Sequence, residues 1–233
     1  MQNTTVAVSR WKAAVMLGAP LLIGAIEVLH PNGIGLSPEE WVQLIASQGQ
    51  RFLALHIVLL PLWPILALIL FWMLPRQGTA SRVSRIALAA YVVLYPAFDS
   101  LVGIGTGVLL DYRATLNAAG QAVLDPAIQG IFFDPTGVPE LLSMAGAAAW
   151  IAAAIAAAIS LWRPAGWRVA VPLVVSGILM GWGHVWPMGP IANVALFIAV
   201  WQFLLRQQKS AHTSSVSARP TTEARYAAGL SGN

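Results

Sequence analysis

A chain of 233 residues with 58% hydrophobic and 9% charged side chains lacks the polar surface of a soluble domain, where about a quarter of residues are charged. With a mean hydropathy of +0.70 it reads as an all-α, polytopic integral membrane protein. Its lack of cysteine excludes disulfides, Cys-ligated zinc, iron–sulfur clusters and thiol redox chemistry.

The first apolar stretch, 12–30, follows Arg10 and Lys12 and ends EVLHPNG, which suits a retained helix better than a cleaved leader. Glu27 and His30, three apart, are expected on one face near its outer end. Ser37-Pro38-Glu39-Glu40 then carries a helix start, with Ser37 as N-cap and Glu40 closing a capping box. Trp41, Leu44 and Ile45 share a face of the short outer helix that follows.

The second span, 52–74, holds His56 one turn inside its start, above Pro61 and Pro64, which loosen the helix. The third, 86–110, carries Asp99 near its middle, where a carboxylate costs about 2.5–3.5 kcal/mol on insertion scales. Pro96 places a kink beside it. Tyr91, Tyr95, Asp99, Gly103 and Gly107 recur every four residues, a stripe that predicts a hydrogen-bonded chain of phenols and acid. The connection 111–138 places Ile128, Ile131, Phe132 and Phe133 between two Asp-Pro turns, as a cap over the bundle.

The fourth span, 140–162, is nearly poly-alanine, and the fifth, 169–186, carries Gly177-x-x-x-Gly181 and His184. A tight turn joins the fifth to the sixth, 190–206. Each span suits about 30 Å of hydrocarbon. Asn193 and Gln202 read as polar residues of the cytoplasmic half. Residues 1–206 thus form a single six-helix transmembrane bundle, and 207–233, without apolar periodicity, a disordered cytoplasmic tail.

Most Arg and Lys fall in alternate connections, so both termini are expected in the cytoplasm of a multi-pass cell-membrane protein. The pI of about 10.0 follows from that topology and calls for no nucleic-acid partner. The partners expected are the lipid bilayer and a lipophilic small molecule, with homo-oligomerisation left open.

Ionisable residues inside a membrane mark sites. Asp99, Glu27, Tyr95 and His56 are the candidate catalytic residues, and Trp63, Trp182, Trp186 and Phe98 the candidate substrate walls. His30, His56 and His184 are candidate ligands for a divalent metal. The leading expectation is an enzyme acting on an isoprenoid- or lipid-like substrate by acid–base chemistry, a membrane cyclase or isomerase, in a cavity open to the outer half of the membrane. A proton-coupled transporter or exporter, a His-ligated metal-dependent hydrolase or oxidase, and a non-catalytic partner stay open beside it.

Overall fold

A computed structural model describes residues 8–217. Every regular element among them is helical: α1 (Arg10–Glu27), α2 (Pro38–Gln48), α3 (Gln50–Leu59), α4 (Leu62–Met73), α5 (Thr79–Asp99), a π-helical segment (Ser100–Gly105), α6 (Thr106–Arg113), α7 (Ala118–Phe133), α8 (Val138–Ala165), α9 (Trp167–Trp182) and α10 (Met188–Ser217). Four stretches are long and apolar enough to cross a membrane: Gln50–Met73, which takes in α3 and α4, Thr79–Arg113, Ala118–Ala165, which takes in α7 and α8, and Met188–Ser210. The apolar α9 is shorter. The polar segment expected after the sixth span begins inside α10, and its residues 218–233 lie outside the described residues.

Packing closes the long helices into a ring. α5 lies on α8, α8 on α9, α9 on α10, α10 on α1, α1 on α4, and α4 returns to α5. Glycine and alanine permit the closest approaches. A methyl at Gly177 would reach 2.6 Å from Ala154 Cβ, so α8 and α9 touch nearly backbone to backbone. Trp63, Tyr91, Trp150, Leu66, Leu70 and Leu173 fill the space between the helices.

A second, smaller cluster sits at one end. Trp41, Val42 and Ile45 of α2 meet Phe52 of α3, Leu110 of α6 and Ile128 of α7. α2 starts as its sequence dictates: Glu40 N–H donates to Ser37 Oγ at 3.2 Å, and Ser37 N–H donates to Glu40 Oε2 at 2.8 Å. Arg113 clasps Asp125 through Nε–Oδ1 at 2.6 Å and Nη2–Oδ2 at 3.0 Å, joining α6 to α7. Together α2 and α7 roof this end of the bundle.

Four local expectations are corrected. α1 stops at Glu27, so His30 lies in a turn rather than on the same helix face. Asp125-Pro126 is no turn but the middle of α7, where Arg113 holds the acid; only Asp134-Pro135 ends the helix. α9 ends at Trp182, which places His184 in the turn before α10. Asn193 lies five residues into α10, at the roofed end, rather than in the opposite half.

The kink expected at Pro96 takes the form of the π-helical segment starting at Ser100. Pro96 lacks the N–H that would bond the Val92 carbonyl, and Ser100 Oγ donates to the Pro96 carbonyl at 2.7 Å. The ladder widens next to Asp99 as a result.

Candidate functional site

Under the roof lies a cavity of about 150 Å³. His30, His56, His184 and Asp99 line it, with Trp41, Phe52, Phe98, Val102, Gly103, Phe132 and Val185. The four ionisable groups come from four parts of the chain: the turn after α1, α3, the turn after α9, and the end of α5.

Each imidazole is held from behind. His30 Nδ1 donates to the Pro31 carbonyl at 2.9 Å, and His56 Nδ1 donates to the Phe52 carbonyl at 2.8 Å. A carbonyl oxygen only accepts, so both Nδ1 atoms carry the proton and both neutral rings present a bare Nε2 lone pair. Those two Nε2 atoms face each other at 3.2 Å. Two lone pairs repel at that distance unless a cation or a shared proton lies between them.

His184 completes the group. Its ring stands edge-on to His30, with centroids 5.0 Å apart, and its buried Nε2 has no hydrogen-bond partner. One ligating nitrogen from each of the three rings lies within 4.8 Å of the others. Nitrogens bound to one tetrahedral ion at about 2.0–2.1 Å stand roughly 3.3 Å apart. The His30–His56 spacing of 3.2 Å meets that value, and the His184 nitrogen lies within 4.8 Å of both. The donor set is three imidazoles, two of them with the tautomer fixed by a bond from Nδ1 to the Pro31 or Phe52 carbonyl, an arrangement that metal-binding histidines share.

Asp99 sits beside this group. Its Oδ1 is 4.0 Å from His56 Nε2, and its Oδ2 is buried without a partner. The expected hydrogen-bonded chain to the tyrosines does not form, since the buried Tyr91 hydroxyl also lacks a partner. Instead Tyr91 and Tyr95 stack on each other at 5.2 Å, and Tyr95 packs against the edges of Trp63 and His184. Tyr95 therefore walls the back of His184 and does not line the cavity.

Gly103 explains how His56 fits. The imidazole lies directly on its Cα, and any side chain there would overlap the ring. Gly107, one turn on, makes the same room for Leu53.

The expected substrate walls divide. Phe98 lines the cavity. Trp63 is fully buried behind His184, with ring centroids 5.7 Å apart. Trp182 and Trp186 are 79% and 46% exposed and do not line this cavity. Glu27 is fully buried but does not line the cavity, its Oε2 accepting from Asn193 Nδ2 at 2.8 Å. Trp41 and Phe132 were legible as apolar faces and not as cavity walls, and Phe52, one turn before His56 on α3, gave no signal of its own.

Comparison with family models, curated proteins and solved structures finds no match to this chain. The residues themselves define the site.

Proposed function

We propose that this chain is a metal-dependent membrane hydrolase, with His30, His56 and His184 holding one divalent ion and Asp99 managing the proton. The observation that carries the reading is the pair of Nε2 lone pairs facing each other at 3.2 Å with both Nδ1 atoms already engaged. A cation gives that arrangement its reason. Three histidines that leave a ligand position free form the donor set of catalytic zinc, and the ion would supply Lewis acidity and lower the pKa of a water.

Asp99 lies where a base for that water belongs, next to the nitrogens yet retaining a free oxygen. Water adds to an acyl carbon, Asp99 takes its proton, and the same proton passes to the departing alcohol or amine as the acyl bond breaks. A carboxylic acid and the protonated leaving group result. The walls favour an uncharged lipophilic ester or amide, since they are aromatic and no Lys or Arg lines the cavity.

We further propose six spans, with α1 and α9 counted beside the four longer stretches, both termini in the cytoplasm, and the roof of α2 and α7 on the outer face. Arg76 in the connection between α4 and α5, Arg82 and Arg85 in the first turns of α5, Arg163 in the last turn of α8 and Arg168 in the first turn of α9 all lie toward the end away from the roof, which supports that orientation.

The metal-free reading, in which Asp99 protonates an alkene as a cyclase would, has in its favour the unpartnered Asp99 Oδ2 among aromatic rings. It leaves the facing imidazoles without a purpose, and the metal reading is preferred. The test is turnover in liposomes of lipophilic acyl esters and amides by protein stripped with a chelator and then resupplied with zinc. Activity lost on stripping and restored by zinc is the expected result. Turnover indifferent to stripping, in protein verified to be metal-free, overturns the reading.

A further inference from the structure

Glu27 is the one fully buried carboxylate that the chemistry above does not use. It does not line the cavity of the histidines, yet it touches both segments that bring histidines in from helix ends. Its backbone carbonyl accepts the N–H of His30 at 3.1 Å, holding the turn after α1. Its carboxylate accepts from Asn193 Nδ2, which also donates to the Gly189 carbonyl at 3.1 Å. Gly189 N–H in turn donates to the Val185 carbonyl at 3.0 Å, closing the turn that carries His184. A methyl at Gly189 would overlap the His184 carbonyl and come within 2.6 Å of Glu27 Oε2, so the carboxylate lies against that turn. Gly24, one turn earlier on α1, lets Asn193 approach this closely.

Charge adds a second argument. Three neutral imidazoles around a divalent ion leave two positive charges in a buried site. Glu27 and Asp99 are the two buried carboxylates among the described residues, and no buried Lys or Arg opposes them. An uncompensated buried charge is costly, and two carboxylates balance one divalent ion.

We infer that Glu27 is a positioning residue of the metal centre: with Asn193 it seats the His184 turn against the His30 turn, and its charge balances the ion. The inference rests on the metal reading of the site. Glu27 Oε1 and Asn193 Oδ1 are both buried without hydrogen-bond partners.

The test is zinc affinity of the full-length protein in nanodiscs, by competition with a chromophoric chelator, together with the visible spectrum of the cobalt-substituted form. Glu27→Gln keeps the size and the bond from Asn193 but loses the charge. It is expected to bind zinc about 10–100-fold more weakly, the usual effect of removing an outer-shell partner, with the tetrahedral cobalt spectrum kept. Glu27→Ala is expected to weaken zinc further and change that spectrum, because the His184 turn loses its seat. The exposed control Glu39→Gln leaves both unchanged. Wild-type affinity in both Glu27 variants overturns the inference and spares the metal reading, whereas a wild-type protein that binds no zinc removes the reading itself. If Glu27→Gln does not fold, the infrared difference between zinc-bound and zinc-free wild-type protein labelled with 13C-glutamate decides. A shifted glutamate carboxylate band is expected, and an unchanged one overturns the inference.

Discussion

His30 and His56 point their Nε2 atoms at each other across 3.2 Å, although each ring has already given its Nδ1 proton to a backbone carbonyl. Neither ring can turn to relieve the opposition without breaking its bond to Pro31 or Phe52. The backbone therefore fixes two lone pairs on one point, and His184 from the turn after α9 and Asp99 from the end of α5 lie beside it. A bundle stabilised by apolar packing has no need of such a cluster, and each buried polar group in it requires a partner.

Asp99→Asn preserves size and removes the ability to take a proton. The variant is expected to insert, fold and load metal like the wild type while losing roughly 10²–10⁴-fold in turnover, the range typical of general acid–base groups. Full activity in a metal-loaded Asn variant would reduce Asp99 to a packing residue.

Gly103→Ala tests the site through its support. The added methyl has no room beside the His56 ring, so the ring must move and the three-histidine geometry opens. Zinc affinity is expected to fall roughly 10–100-fold, as for other outer-shell disturbances. Gly18→Ala, where a methyl meets nothing within 4 Å, is the matched control and is expected to bind zinc normally.

The roof should respond to acid through Glu40. Its carboxylate is held below the usual 4.5 by the Ser37 backbone N–H and then by the Ser37 side chain. A depressed folded-state value means that the capping contribution is present above about 4.5 and is lost as pH falls through the lower, folded value. The start of α2 is thus expected to fray below that pH, read out by Trp41 fluorescence, with Glu40→Gln abolishing the pH dependence. A pH-independent signal in the wild type would contradict it.

Orientation is tested by single cysteines, which the chain otherwise lacks. Glu39→Cys is expected to react with an impermeant maleimide on intact cells, and Gly78→Cys only after permeabilisation. The reverse pattern would invert the proposed topology.

Much of the fold was legible because its signals are local. The capping box at Ser37 and Glu40 and the apolar stretches each act through neighbours in sequence. The convergence of His30, His56 and His184 could be anticipated only as a shared depth, since helix rotation decides whether rings at one level meet. Where the reading failed, tertiary contacts overrode a local rule. Arg113 holds Asp125-Pro126 within a helix, although Asp-Pro ordinarily marks a turn. α1 and α9 stop three and two residues before their histidines; apolar Val28 and Leu29 gave no sign of the first stop, and Gly183 was the one local signal of the second. The Glu27–Asn193 bond links residues 166 apart in sequence, a distance no spacing argument reaches.

The most direct test of the central claim is the metal content of protein purified without added metal or chelator, measured by inductively coupled plasma mass spectrometry for the wild type and for His30→Ala, His56→Ala and His184→Ala. The expected result is about one divalent transition-metal ion per chain in the wild type and a marked loss in each of the three folded variants. A wild-type protein that neither contains such an ion nor takes up zinc on titration, or histidine variants that retain the full complement, would contradict the account.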